Sequence, residues 1–145
     1  MKDGKKVGFT AGAFDLCHAG HMLMFEEAKT VCDHLIVALH SDPTLDRAGS
    51  KNKPIMSVEE RQIILRGVKY IDEILVYDTE SDLYAMLKKN TLGIDVRIIG
   101  AEYKGKDFTG KDLPIPMYFN SRDHGYSTTE LRKRVYEAEV KKNAQ

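Results

Sequence analysis

Apolar and polar residues follow one another along this chain in blocks that predict strands alternating with helices. Short, mainly apolar runs of strand length lie at positions 7–11, 35–39, 74–77 and 96–100. The run at 35–39 is continuous, which is typical of a strand covered on both faces of a parallel sheet. A helix is predicted after the first run, and we expect the connection between the first two strands to be right-handed.

Four helices are predicted from apolar residues spaced three and four apart. Two of them begin at capping boxes, Ser57 with Glu60 and Ser127 with Glu130, in which each side chain satisfies a main-chain N–H of the other. The residues expected to face the core are Met24, Phe25, Ala28, Val31 and Cys32 in the first helix, Ile63, Ile64, Val68 and Ile71 in the second, Leu83, Met86 and Leu87 in the third, and Leu131, Val135 and Ala138 in the last.

Two segments complete the predicted order of elements. Pro116–Phe119 is expected to form a short edge strand, because proline is tolerated at the start of a strand or on an edge. Residues 41–56 form a long predicted loop, and loops longer than about 12 residues are often functional. The pattern as a whole predicts an α/β protein of a single domain over residues 1–145, with a doubly wound, Rossmann-like parallel sheet and helices on both faces.

Composition narrows the function classes. The 145 residues, 42% of them hydrophobic, suit one core, and 22 basic residues balance 22 acidic ones. A net charge of zero argues against a broad electrostatic contact with nucleic acid or with an anionic membrane. No apolar run is long enough for a signal peptide or a membrane span, and two cysteines make no disulfide framework. We expect a cytoplasmic protein with reduced thiols.

The chemistry is expected just after the strands, where ligands bind in doubly wound folds. Residues 12–21 read Gly-Ala-Phe-Asp-Leu-Cys-His-Ala-Gly-His, so that His18 and His21 lie three apart at a helix start, with Gly20 between them. A helix N-terminus, a glycine and two imidazoles suit a phosphate. A purely structural pair and a zinc site remain open alternatives, although zinc would need further ligands.

Two further segments are candidates for anion binding. Residues 122–129 combine the guanidinium of Arg122 with a glycine and the hydroxyl groups of Ser127, Thr128 and Thr129 at the start of the last helix. Ser127 can cap that helix while free N–H groups still face a ligand. Lys51 and Lys53 lie on the long loop, and a solvated lysine pair is the alternative there.

These segments carry a resemblance to a known family. Residues 12–21 resemble the G-T/C-F-D-L-x-H-x-G-H signature of the cytidylyltransferases, which are part of the nucleotidylyltransferase superfamily marked by His-x-Gly-His. Residues 122–129 resemble the second signature of that family, R-T-x-G-I-S-T-T. The resemblance covers about residues 6–136. In length and layout the chain is similar to the small bacterial glycerol-3-phosphate cytidylyltransferases.

The resemblance implies an enzyme that transfers CMP from CTP to a phosphorylated acceptor without a covalent intermediate, with Mg²⁺ bridging phosphate oxygens and a homodimer as the assembly. The catalytic residues that it implies are His18, His21, Lys51 and Arg122. Nucleotide contacts are expected from Ala11, Gly12, Ala13, Phe14, Asp15, Gly20, Lys53, Gly100, Ala101, Glu102, Tyr103, Tyr126, Ser127, Thr128 and Thr129. Acceptor contacts are expected from Lys53, Arg61, Lys69, Asp72 and His124, and no residue is assigned as a metal ligand.

Departures from the signatures bear on the acceptor more than on the reaction. Ala13 replaces the usual Thr or Cys, Asp123-His124 replaces Thr-x, Tyr126 replaces Ile, and Lys69 stands where the glycerol-3-phosphate enzymes tend to carry Arg. The leading hypothesis is a cytidylyltransferase for glycerol 3-phosphate or a related phosphorylated polyol, amino acid or amine used in surface-polymer assembly. The alternatives are an adenylyltransferase for a sugar phosphate such as heptose 1-phosphate, and a non-catalytic nucleotide-binding module.

Overall fold

A parallel sheet of five strands forms the centre of the protein. The computed structural model describes residues 3–121 and 124–144. The strands are β1 (Val7–Gly12), β2 (His34–His40), β3 (Glu73–Tyr77), β4 (Val96–Gly100) and β5 (Met117–Asn120), in the spatial order β3-β2-β1-β4-β5. The helices are α1 (Ala19–Ala28), α2 (Thr44–Arg47), α3 (Val58–Arg66), α4 (Glu80–Lys89) and α5 (Thr128–Asn143), with a short 3₁₀ turn at Ala101–Tyr103.

The strand order confirms the predicted doubly wound α/β fold. Every paired strand runs parallel to its neighbour, with Val7 opposite His34 on one side of β1 and Gly8 opposite Val96 on the other. The strand predicted at 116–119 forms the β5 edge of the sheet. Because the chain moves outward from β1 in both directions, the carboxyl ends of β1 and β4 separate and leave a crevice between them.

Helices cover both faces of this sheet. One buried cluster packs Phe25 and Ala28 of α1 and Leu65 of α3 against one face. A second cluster packs Leu83 and Leu87 of α4 against the other. The two clusters account for the mainly apolar strands, because β1, β2 and β4 are covered from both sides.

The apolar spacing misjudged the faces of two helices. Ile63 and Ile64 of α3 are 55% and 38% exposed, and its buried residues are Arg61 and Leu65. Arg61 forms hydrogen bonds to loop carbonyls, so it rather than an isoleucine occupies the inward position. In α5, Val135 is 59% exposed and none of the described side chains is buried, so Leu131, Val135 and Ala138 do not form the predicted buried face.

Other boundaries also differ from the predicted ones. Helix α1 ends at Ala28, so that Val31 and Cys32 reach the core from the turn that follows it. The long loop contains the short helix α2. Within residues 3–121 and 124–144, no helix is long and apolar enough to cross a membrane.

Candidate active site

Two cavities open side by side at the carboxyl ends of the strands. The first has a volume of about 380 Å³ and extends toward β3 and α4, so we call it the α4 cavity. The second has a volume of about 350 Å³ and lies between α1, β5 and the start of α5, so we call it the α5 cavity. The residues that line both are Thr10, Ala11, Phe14, His21, Gly100, Tyr103, Thr128 and Thr129. Groups bound in the two cavities would therefore meet along this shared wall.

A strained turn holds the histidine motif at the shared wall. Phe14 and Leu16 have φ values of +49° and +50°, a left-handed conformation that costs energy in residues other than glycine. The Phe14 ring lies 5.6 Å from the His21 ring and 5.4 Å from the Phe25 ring, measured between centroids. Packing of Phe14 against α1 thus maintains the turn that precedes His18.

The two histidines cap helix α1 reciprocally. His18 Nδ1 accepts a hydrogen bond from the Gly20 N–H at 3.0 Å, and His21 Nδ1 accepts one from the His18 N–H at 3.1 Å. A ring nitrogen that accepts from an N–H carries no proton, so in a neutral imidazole the proton is on Nε2. His18 Nε2 lies 3.1 Å from Thr128 Oγ1, at the cavities. Both rings are therefore oriented to donate from Nε2.

Gly20 allows the histidines to approach α1 closely. A Cβ atom at Gly20 would lie 2.9 Å from His18 Cε1 and 3.1 Å from His124 Cε1, which is closer than ordinary contacts. His124 consequently lies in the α5 cavity beside His18. Its Nδ1 accepts from the Tyr126 N–H at 3.2 Å. Gly20 and Tyr126, two of the predicted nucleotide contacts, line the same cavity, and the expected contact of His124 with the acceptor stays a prediction.

The start of α5 closes the other side of the α5 cavity. Ser127 Oγ accepts from the Glu130 N–H at 3.0 Å, which is the first half of the predicted capping box. Tyr126, Ser127, Thr128 and Thr129 all line the cavity, with the helix N-terminus among them. Main-chain N–H groups at a helix start attract anions. The predicted roles of Arg122, and the substitution at Asp123, lie outside the described residues.

Asp15 and Arg61 hold the long loop rather than a ligand. The Asp15 carboxylate accepts from Ile55 N–H at 2.8 Å and from Met56 N–H at 3.0 Å. Arg61 is 1% exposed and donates to the carbonyl oxygens of Ala13, His40, Ser41 and Met56. The expected contact of Arg61 with the acceptor is therefore wrong, because its guanidinium is buried and binds main-chain carbonyl oxygens.

The remaining residues predicted to bind phosphate or the acceptor lie at opposite ends of the sheet. Lys51 lines the α4 cavity, whereas the exposed Lys53 lines neither cavity. Asp72 precedes β3 at the amino end of the sheet, where it accepts from Lys29 Nζ at 2.7 Å and from the Leu35 N–H at 2.8 Å. Lys69 lies beside it, with Nζ 5.1 Å from the centre of the Tyr70 ring. Asp72 and Lys69 are thus at the edge opposite both cavities, which corrects their expected contact with the acceptor.

Most of the remaining nucleotide-contact predictions fall on cavity walls. Gly12, Ala13 and Asp15 line the α4 cavity, Gly20 and Glu102 line the α5 cavity, and Ala11, Phe14, Gly100 and Tyr103 line both. Ala101, the first residue of the 3₁₀ turn, lines neither.

Sequence reasoning missed Asn120, the last residue of β5. Asn120 is 4% exposed and lines the α5 cavity. Its Nδ2 donates to the Ser121 carbonyl oxygen at 3.2 Å, but Oδ1 has no partner among the residues described. A buried acceptor without a partner is rare and costs about 1–3 kcal/mol. Its place at the carboxyl end of a strand was the signal that could have identified it.

The far wall of the α4 cavity was missed as well. His40, Tyr77, Glu80 and Arg97 line this part of the cavity. The His40 and Tyr77 rings are stacked, with centroids 4.6 Å apart and planes inclined by 17°. Arg97 is 7% exposed, although it stands in an otherwise apolar strand. That exception to the apolar pattern was visible in the sequence.

The described side chains do not fit a metal held by the protein. Residues 3–121 and 124–144 contain no group of three or more His, Cys, Asp or Glu residues that could hold an ion. Both oxygens of Asp15, the carboxylate nearest to the histidine motif in sequence, already accept main-chain N–H groups. Any Mg²⁺ would therefore have to be held mainly by phosphate oxygens and water.

The two cavities are lined by groups of the kind that bind phosphate. His21 and the start of α5 lie on the shared wall, His18 lines the α5 cavity and Lys51 lines the α4 cavity, an arrangement that suits a phosphoanhydride. The fold and the site thus define an α/β nucleotide-binding protein with a His-x-Gly-His motif. The family model described as cytidylyltransferase-like matches residues 9–134, and the chain belongs to this family.

The chain is also similar to curated sequence relatives. It is 35% identical over 138 residues to a protein named "Bifunctional protein HldE" from Campylobacter concisus, covering 95% of this chain and 29% of the relative. The protein of that name from Wolinella succinogenes is 35% identical over 132 residues, covering 91% and 27%. This chain therefore spans less than a third of the length of these curated relatives.

A solved structure has the same fold. The structure, described as the lipopolysaccharide core biosynthesis protein from Thermoplasma volcanium, superposes with a TM-score of 0.58 at 20% identity. The match covers 93% of this chain and 89% of the other.

Proposed function

We propose that this protein is an adenylyltransferase that transfers AMP from ATP to a sugar phosphate such as heptose 1-phosphate. The observation that carries the proposal is the pair of cavities that share a wall at the histidine motif. One cavity suits a nucleotide and the other a phosphorylated acceptor. Similarity to the HldE proteins favours this alternative over CMP transfer to glycerol 3-phosphate.

The proposed reaction needs positioning rather than a protein nucleophile. An oxygen of the acceptor phosphate attacks the α-phosphorus of the nucleotide, and a new P–O bond forms. The bond from the α-phosphorus to the bridging oxygen breaks, and pyrophosphate leaves with the electron pair. Because the attacking oxygen is already anionic, the site has only to align the groups and stabilise the charge that develops.

The described residues have distinct roles in this proposal. His18 and His21 donate from Nε2 to oxygens around the α-phosphorus. In the structure, His18 Nε2 faces the Thr128 hydroxyl, whose place a phosphate oxygen would take. Lys51 approaches the phosphates from the loop, and the α5 N-terminus adds main-chain donors. The role of Arg122 in binding the departing pyrophosphate stays a prediction from the family resemblance.

The donor base is proposed to carry an exocyclic amino group. Asn120 Oδ1 is a buried acceptor in the α5 cavity, and the Glu102 side chain lines the same cavity. Adenine and cytosine each present an amino group beside a ring nitrogen acceptor, whereas uracil has none. CTP is therefore the second candidate donor, supported by the signature motifs.

We propose that Mg²⁺ enters with the nucleotide phosphates rather than on a protein site. It would supply charge neutralisation on the triphosphate. We also propose that the protein acts in the cytoplasm as a homodimer.

Pyrophosphate release tests these proposals directly. ATP, CTP, GTP and UTP would each be combined with glycerol 3-phosphate and with several hexose and heptose 1-phosphates, with and without Mg²⁺. We expect release with ATP and a sugar 1-phosphate, dependent on Mg²⁺. Release only with CTP and glycerol 3-phosphate would instead support the second candidate. Nucleotide binding without release from any combination would support a non-catalytic binding module.

A further inference from the structure

The wall of the α4 cavity that lies on the side of β3 and α4 has no role in the proposed contacts of the histidine motif. On this face of the sheet, the side chains of Val7 and Phe9 in β1 are large and pack in the core. The next residue of β1 on this face is the small Ala11, which lines the cavity. Arg97 of β4 is paired in register with Phe9 of β1, and Tyr77 of β3 is paired with His40 of β2. The cavity is therefore bounded by a buried cation on one side and by aromatic rings on the other.

Arg97 is a buried charge with donors to spare. Its Nη1 donates to the Thr109 carbonyl oxygen, and its guanidinium lies 5.3 Å from the centre of the Phe108 ring. Burial lowers the pKa of Arg97 from its usual value. A guanidinium carries five N–H donors, and only this one hydrogen bond is made to the residues described. Among the described residues, no Arg97 nitrogen is both fully buried and without a partner, and Arg97 lines the α4 cavity. Its remaining N–H groups are therefore available to a ligand in that cavity.

Glu80 is coupled to Arg97 through Thr109. Glu80 Oε2 accepts from Thr109 Oγ1 at 2.7 Å, while Oε1 lies 3.9 Å from His40 Nδ1. The loop that carries Thr109 lies so close to Arg97 that a Cβ atom at Gly110 would be 2.9 Å from Arg97 Nη1. Glycine is required there also because φ is +83°. The loop therefore fixes the guanidinium and the carboxylate in relation to each other.

We propose that Arg97 and Glu80 select a polyhydroxylated acceptor by holding its sugar hydroxyl groups, with the ring packed against Tyr77 and His40. A hydroxyl both donates and accepts, so it pairs with a carboxylate and a guanidinium together. Glu80 Oε1 also lies 4.0 Å from Arg47 Nη2, so the carboxylate partly offsets the charge of the cations that line the cavity and favours a neutral hydroxyl over a second phosphate. Tyr77 and His40 are each 5% exposed, and the parts of their rings that line the cavity would contact the C–H face of a sugar. This subsite rests on the proposed function and specifies its substrate class.

Steady-state kinetics of Arg97→Met and Glu80→Gln test the subsite, with Arg66→Met as the matched control. Arg66 is exposed in the last turn of α3, away from both cavities. The probes are heptose 1-phosphate, mannose 1-phosphate and glycerol 3-phosphate. We expect each subsite variant to raise the KM for sugar phosphates about tenfold or more while the KM for the nucleotide stays within about twofold, because hydrogen bonds to charged groups are lost.

The preference for sugar phosphates over glycerol 3-phosphate should also fall about tenfold, which a merely structural defect would not produce. Unchanged sugar-phosphate KM values in both variants would overturn the subsite. If Arg97→Met does not fold, as judged by its melting temperature, Glu80→Gln decides alone. Calorimetric titration with mannose 1-phosphate, without nucleotide, separates the two proposals. Binding that the subsite variants lose, without turnover in the wild type, would contradict only the transfer reaction.

Discussion

The side chain of His18 caps a helix and is also the proposed donor to the reacting phosphate. Its Nδ1 caps α1 by accepting from the Gly20 N–H, while its Nε2 faces the hydroxyl of Thr128. Loss of a helix cap costs about 0.5–2 kcal/mol of stability. Substitution by alanine would therefore confuse lower stability with lost catalysis, whereas asparagine retains a side-chain acceptor that can serve as the cap.

We expect His18→Asn to lower kcat for pyrophosphate release by about 10²–10³-fold, because a donor to the transition state is lost. Its melting temperature should stay close to that of the wild type. His18→Ala should show the same loss of kcat together with a lower melting temperature. Full activity of the asparagine variant would contradict the proposed role of Nε2.

Asn120 permits a test in which stability and binding change differently. Asn120→Leu removes the cost of the unpaired Oδ1 but also loses the Nδ2 hydrogen bond to the Ser121 carbonyl oxygen. Because these effects have opposite signs, the unfolding free energy of the nucleotide-free protein should change by less than about 1 kcal/mol. Its affinity for ATP should fall about tenfold, as measured by calorimetric titration. An unchanged affinity would show that Oδ1 does not contact the nucleobase.

The sequence predicted those residues that follow strands in a recognisable motif. His18, His21 and Thr128 were found in this way, and the structure brings all three together. Arg61 could not be assigned correctly, because its partners are main-chain carbonyls from separate segments. Asn120, Glu80 and Arg97 belong to no motif, and only the folded sheet brings them to the cavities.

At the scale of elements, Asp72 connects the segments at the amino ends of the strands. It connects Lys29, just after α1, to the start of β2. Burial alone would raise the pKa of Asp72, but the hydrogen bonds from Lys29 and Leu35 lower it below its usual value. A carboxyl group with a lowered pKa in the folded state contributes stability above its unfolded pKa of about 3.9, and this contribution is lost as the pH falls through the folded value.

Asp72→Asn should therefore be less stable than the wild type at neutral pH, and the difference should shrink as the pH falls below about 4. Urea unfolding at a series of pH values measures this. Asp107→Asn is the matched control, since Asp107 is exposed in the loop after β4. A stability difference for Asp72→Asn that does not change with pH would contradict the role of its charge.

Helix faces were the least predictable feature at this scale. Periodicity located α3, but it could not show that Arg61 would be turned inward by four carbonyl partners while Ile63 faced solvent. Strands were easier to predict, because a strand that is covered on both faces has mainly apolar residues, and its buried face does not have to be identified. The alternation of strands and helices predicted a doubly wound sheet, and the structure adds the strand order, with β1 between β2 and β4.

At the scale of the whole molecule, α5 bears on the proposed homodimer. Its first turn contributes Thr128 and Thr129 to the cavities, whereas Val135, Tyr136 and Val140 are exposed further along the helix. We propose that a second copy of the chain covers these three residues, which would bury apolar area now exposed to water.

Light scattering coupled to size-exclusion chromatography should then give twice the chain mass for the wild type. Tyr136→Glu combined with Val140→Lys should shift the protein toward the monomer, while Lys133→Glu, a change at an exposed polar position of the same helix, serves as the control. A wild-type monomer at all concentrations would contradict the proposed dimer.

The shared wall has a consequence for how such a protein can change. In the proposed reaction, bond making takes place at a wall built from β1, α1 and the start of α5, whereas β3, α4 and the loop with Thr109 line only the α4 cavity. On that proposal, substitutions in the latter group should exchange one acceptor for another without moving the groups proposed to act on phosphorus. Transplanting β3, α4 and this loop from a relative is therefore expected to change the acceptor and to leave the transfer step intact.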